Sequence, residues 1–159
     1  MKHFITTAFF VAAVVFASQV SVAADDPKVA AEIMAITRAQ WAAEMQGKSV
    51  AEQTASIADD YTEFNPVFPL RIDGKAMNNS IYEAQNSSGD KTLLGEMANP
   101  KVQVYGDVAI LTYNYVGVTQ AKDGKVENSL AKSTRVYAKT AGQWKLVHAN
   151  FAPVVAPQN

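Results

Sequence analysis

Ser133-Thr134-Arg135-Val136-Tyr137, followed after four residues by Gly142-Gln143-Trp144-Lys145-Leu146-Val147-His148, decides the fold. Both runs are rich in β-branched and aromatic residues, and Ala141-Gly142 lies between them. That pattern reads as two antiparallel strands joined by a tight turn. It also sets one arginine inside a strand. Side chains alternate along a strand, so Ser133, Arg135 and Tyr137 share a face. If that face looks inward, the guanidinium can grip a carboxylate through two parallel hydrogen bonds. If it looks outward, Arg135 is a surface charge or half of an ion pair. The residues alone leave both open.

Upstream, the period of two continues. Val126 to Lys139 reads as one long strand and Val108 to Gln120 as another, with Asp123-Gly124 turning between them. Gly106-Asp107 is a further tight turn, and a strand runs into it from Pro100 through Val102 and Val104.

The first half is helical. Asp26-Pro27 offers an N-cap followed by proline at the first helical position. Val29, Ile33, Ile36 and Ala43 form a stripe that Met34, Trp41 and Met45 widen, and Gly47-Lys48 stops it. Ser49-Val50-Ala51-Glu52 is a capping box for a second helix reaching about Ala58. Tyr61 to Asn65 reads as a strand, after which Pro66 and Pro69 force an irregular passage. Asp73-Gly74 opens a third helix carrying Met77, Ile81, Tyr82 and Ala84, and Asn86 to Gly89 closes it. Helices first and strands later, without regular alternation, predict an α+β domain. Helices on one side of long strands imply a strongly curved, mostly antiparallel sheet, a cone with an interior pocket. The expected domain spans residues 24–153, with a frayed tail over 154–159.

Residues 1–23 read as a secretory signal peptide: Lys2 and His3, the apolar run Phe4 to Phe16, then the small residues around Ser21-Val22-Ala23. The run is short of the roughly 20 residues needed to span a bilayer. Cleavage leaves about 135 residues, one domain, destined for the periplasm or the extracellular space. The chain has no cysteine, so packing rather than disulfides must hold it. Its formal net charge is −1 and it carries no basic run, which argues against nucleic acid. No second apolar segment calls for a membrane once the leader is gone.

Several other side chains are candidates. His148 is the only histidine beyond the leader, so a multi-histidine metal centre is excluded, although general acid–base work is chemically open to it. Tyr113 and Tyr115 share a strand face and could donate to an oxyanion or simply pack. Glu63 and Asn65 share a face of the first strand. Glu63 is either a desolvated base or a solvated edge carboxylate. No cofactor-binding motif stands out.

The ensemble Thr62-Glu63-Phe64-Asn65-Pro66, Asn99-Pro100, Gly106-Asp107, Tyr113, Ser133 to Tyr137, Gly142-Gln143-Trp144 and Val147-His148 resembles the nuclear transport factor 2-like superfamily (SnoaL-like, cystatin-like). Ketosteroid isomerases and polyketide cyclases belong to that superfamily. Within it the chain is most similar to the association domain of calcium/calmodulin-dependent protein kinase II and its stand-alone bacterial relatives. The resemblance implies an α+β cone, a polar pocket accepting small carboxylates, and self-association, commonly as a dimer, through the open sheet face. It matches Arg135 to the family's pocket arginine, and places Asn78 where the family has a histidine and Tyr115 near a second pocket arginine. His148-Ala149-Asn150 stands at the family's His-x-His, and Phe151 follows in place of a basic residue. The implied pocket is less basic than the kinase's. Its expected ligand contacts are Arg135, Tyr115, Tyr137, Asn65 and Asn78, while Glu63, His148 and Tyr113 are the candidates for catalysis. Two functions follow: an exported ligand-binding, self-associating module, or a cofactor-free isomerase, dehydratase or cyclase.

Overall fold

The structure, a computed structural model, describes residues 26–154. The leader at 1–23 and the tail beyond Val154 lie outside the described residues. The chain forms α1 (Pro27–Met45), α2 (Val50–Gln53), β1 (Ile57–Phe64), β2 (Ile72–Asp73), α3 (Lys75–Ser88), β3 (Lys91–Tyr105), β4 (Val108–Gln120), β5 (Val126–Thr140) and β6 (Gln143–Pro153). The six strands make one curled, unclosed sheet in the order β2-β1-β6-β5-β4-β3. All neighbours are antiparallel except β1 and β6, which run parallel. Helix α1 packs against β3 and β4, and α3 against β1 and β2, so the helices fill the hollow of the sheet.

Local chemistry explains most boundaries. The Asp26 carboxylate accepts from the backbone N–H groups of Lys28 and Val29, both at 3.0 Å, and Pro27 starts α1. Ser49 and Glu52 close the capping box reciprocally. The β5–β6 hairpin turns on Ala141 and Gly142, both with positive φ (50° and 79°), which suits a two-residue turn matched to the twist of its strands.

Three boundaries differ from the sequence reading. Helix α2 stops at Gln53, and β1 begins at Ile57 rather than Tyr61, because Ile57 pairs with Leu146 of β6. That tertiary pairing overrides local helix propensity. The proline-rich link contains the two-residue strand β2, held by Thr62 and Glu63 of β1. Strand β3 begins at Lys91, well before Pro100, because its ladder with β4 passes Asn99-Pro100 through a bulge with Asn99 at φ 51°.

The core joins Ile33 and Trp41 of α1 to Leu111, Tyr113, Tyr137 and Leu146 of the sheet's inner face. The stripe of α1 that it uses is shifted from the expected one. Buried positions are Ile33, Thr37, Gln40 and Trp41, whereas Met34 is half-buried and Met45 exposed. The Thr37 hydroxyl bonds the Ile33 carbonyl at 3.1 Å and the Tyr137 phenol at 2.8 Å, which pins the helix to β5.

Candidate functional site

The inner face of β5 carries Ser133, Arg135 and Tyr137, all buried. It looks into a cavity of about 1050 Å³ between the end of α1, α3 and strands β3 to β6. Arg135 lines that cavity and is only 5% exposed. Its Nε donates to the Tyr113 phenol oxygen at 3.0 Å and its Nη1 to the Gln40 amide oxygen at 2.7 Å. The rings of Trp41 and Phe151 flank the guanidinium carbon at 5.8 and 5.6 Å. Burial acts against the charge, but the phenols of Tyr113, Tyr137, Tyr82 and Tyr61 more than offset it, and Arg135 stays protonated. The ion pairs among the described residues are Arg71–Asp73 and Lys125–Glu127, both exposed. Arg135 thus sits in the cavity wall with neutral hydrogen-bond partners and no carboxylate in contact.

Beside it stands a group that the sequence reading missed. Gln40 donates from Nε2 to Glu44 Oε1 at 3.1 Å and to the Tyr82 hydroxyl at 2.7 Å, and that hydroxyl donates to Glu44 Oε1 at 2.9 Å. Glu44 and Tyr82 both line the cavity. Burial pushes the Glu44 carboxyl above its ordinary value, Glu63 adds to this, and Tyr82, Arg135 and Gln40 partly oppose it. Burial likewise drives the Tyr82 phenol well up. The signal was present in α1. Ile33, Thr37, Gln40 and Glu44 follow helical spacing, so the inward stripe begins apolar and ends polar. A buried stripe that turns polar must face polar partners or a hollow.

Of the expected residues, Arg135, Tyr113, Tyr115 and Asn65 line the cavity. Tyr115 lies over Gly117, and Trp41 meets both tyrosines edge-on at 5.7 Å (Tyr113) and 5.4 Å (Tyr115). Burial raises the Tyr115 phenol as well.

Four others sit elsewhere. Tyr137 is fully buried and its hydroxyl is committed to Thr37. Asn78 is buried near the start of α3, away from the cavity lining. Glu63 is buried rather than a solvated edge group: Oε2 accepts from Tyr61 at 2.7 Å and Oε1 from Asn65 at 2.8 Å. His148 lies on the outer face, its Nδ1 2.8 Å from the Thr62 hydroxyl and its ring edge-on to Phe64. The cause is a bulge. Tyr137 pairs with Leu146 but Val136 pairs with His148, so Val147 is an extra residue. It reverses the alternation and turns Ala149 inward in place of His148. Among the described residues there is no group of three or more His, Cys, Asp or Glu side chains able to hold a metal, and no helix long and apolar enough to cross a membrane.

Comparison with known proteins agrees with this architecture. No protein of curated function matches the sequence. Among solved structures, the calcium/calmodulin-dependent kinase II hub homology domain of Chlamydomonas reinhardtii superposes with a TM-score of 0.67 at 23% identity, over 80% of this chain and 98% of that one. An association-domain protein from Xanthomonas campestris gives 0.67 at 20% identity, covering 77% and 86%. A putative dehydratase of the nuclear transport factor 2-like family from Streptomyces avermitilis gives 0.70 at 18% identity, covering 82% and 100%. At these identities the likeness is one of fold. The sequence profile of the calcium/calmodulin dependent protein kinase II association domain matches residues 29–154. With the helix-filled curled sheet already in view, that match shows that the chain belongs to the calcium/calmodulin-dependent protein kinase II association domain family, and its fold is that of nuclear transport factor 2-like proteins.

Proposed function

We propose that the protein is an exported, self-associating module that binds a small anionic ligand, a carboxylate, in the cavity anchored by Arg135. The observation that carries this reading is the buried guanidinium without a counter-ion. Its contacts are all neutral and its Nη2 makes no hydrogen bond among the described residues, so a ligand carboxylate in the cavity could pair with it directly. Tyr113, Tyr115 and Asn65 supply further polar lining. The test is thermal melting with a series of short-chain carboxylates. Ligand-dependent stabilisation in wild type, lost in Arg135→Ala, is the expected outcome; equal shifts in both proteins count against it.

Self-association is supported by the outer sheet face, where Ile110, Val116 and Val136 are half-buried and Phe64 is exposed. Solved relatives bear the names hub homology domain and, in C. elegans, association domain. Light scattering reads the state directly: a dimer or larger at tens of micromolar is expected, and a monomer there overturns this part. The leader pattern at 1–23 supports export, which N-terminal sequencing of protein recovered from the periplasmic fraction or the medium would test.

Of the carboxylate and imidazole expected to carry acid–base work, Glu63 has both oxygens engaged and His148 lies on the far face.

A further inference from the structure

The cavity has a chemical polarity that a simple carboxylate would leave half used. Its sheet wall offers donors. Arg135 spends Nε and Nη1 on protein partners, and among the described residues Nη2 makes no hydrogen bond. The Tyr113 oxygen accepts from Arg135, so its own proton remains to be donated. Ser133, opposite Tyr113 in the ladder and 4% exposed, has a hydroxyl with no partner.

The helical wall offers acceptors. Glu44 Oε1 takes both of that carboxylate's hydrogen bonds, which leaves Oε2 without one among the described residues. Gln53, in the lining and 1% exposed, gives its Nε2 to the Lys48 carbonyl at 2.7 Å, while its Oε1 has no donor. Between the two walls lies the Gln40 amide, which accepts from Arg135 and donates to Glu44. That single amide keeps the cation and the carboxylate from pairing directly. The guanidinium and the Glu44 carboxyl share one cavity without direct contact, although each acts on the other through space. The buried Ser133 hydroxyl and Gln53 Oε1, which have no partner, carry a desolvation penalty until a ligand or water meets them.

We infer that the cavity takes an amino acid, its carboxylate against Arg135, Tyr113 and Ser133 and its protonated amine against Glu44 and Gln53. This rests on the reading of Arg135 as a carboxylate anchor and adds the second pole. A molecule with both groups satisfies both walls at once. The aromatic rings of Trp41, Tyr115 and Phe151 supply apolar surface for a side chain. The state of Glu44 provides an independent signature. The groups facing it are Tyr82 from α3, Arg135 from β5, Glu63 from β1 and Tyr115 from β4. Burial holds its carboxyl above the ordinary carboxylate value. An ammonium beside it favours the ionised form, so amine binding expels a proton from Glu44.

The test is thermal melting and calorimetry of the purified protein with the common α-amino acids, each beside the carboxylic acid that lacks its amine. In wild type at least one amino acid is expected to bind about tenfold or more tightly than its deaminated partner, the scale of hydrogen bonds to a charged group. Glu44→Gln should erase that preference. Calorimetry at mildly acidic pH in buffers of different ionisation enthalpy should show proton release in wild type and none in Glu44→Gln. If Glu44→Gln does not fold, Glu44→Asp serves, with the preference weakened. Carboxylic acids that bind as well as amino acids overturn the inference and leave the Arg135 reading standing. If neither set shifts the melting temperature, the cavity holds water only and both readings fall.

Discussion

Arg135 of β5 and Gln40 of α1, ninety-five residues apart in sequence, meet through a 2.7 Å hydrogen bond from Nη1 to the amide oxygen. That contact ties helix to sheet at the cavity wall. It also fixes what each neighbour can do, since Gln40 passes its own donors on to Glu44 and Tyr82. A buried charge supported only by neutral partners is an expensive way to build a core.

Replacing Arg135 by methionine should cost about 1–3 kcal/mol by denaturant melts, because it leaves the buried Gln40 amide oxygen without its donor. Carboxylate-induced stabilisation should vanish in the same protein. A loss of more than about 3 kcal/mol, the scale of breaking a needed buried pair, would mark Arg135 as a structural residue instead.

The raised Glu44 carboxyl makes a signed prediction about pH. A carboxyl raised on folding stabilises the protein fully below its unfolded value, and that contribution is lost as pH rises through the folded value. Wild type should therefore lose stability relative to Glu44→Gln as pH rises from below the ordinary carboxylate range towards neutrality. Paired melts across that window check the sign, and a constant difference would refute the burial of this group.

Gly117 holds the place of the Tyr115 ring. A Cβ there would lie 2.5 Å from Tyr115 Cε1 and 2.6 Å from its hydroxyl. Gly117→Ala should push the ring off its seat and cost about 1–3 kcal/mol, the range for overpacking. The displaced ring should change the near-ultraviolet dichroism, to which Trp41 against Tyr115 contributes. An unchanged spectrum and unchanged stability would show that the glycine does not position it.

His148→Ala should cost about 1 kcal/mol through the lost Thr62 contact and leave ligand-induced stabilisation intact, because the bulge at Val147 puts the imidazole on the outer face. Loss of ligand response in this variant would mean that the register of β6 is different.

Local rules made much of the fold legible. The caps at Asp26 and Ser49, the turn at Ala141-Gly142 and the period-two run of Val108 to Gln120 are written in single residues, and each appears where it was expected. Alternation groups Tyr113 with Tyr115, and Glu63 with Asn65, without saying which face is inner; Arg135, Tyr113, Tyr115 and Asn65 line one cavity. Glu44 escaped because a glutamate near a helix end looks like any solvated residue until the sheet closes over it. His148 and Trp144 look alike in a strict alternation, and nothing local announces the extra residue between them.

Sequence by itself determined most of the elements, their order and the family, because caps, turns and periodicity act over a few residues and are encoded there. Tertiary structure alone decided which face of β6 looks inward and which polar groups share the hollow. Those outcomes depend on one bulge and on contacts such as Gln40 with Arg135, whose partners are distant in the chain and whose energies exist only once the helix lies within the sheet.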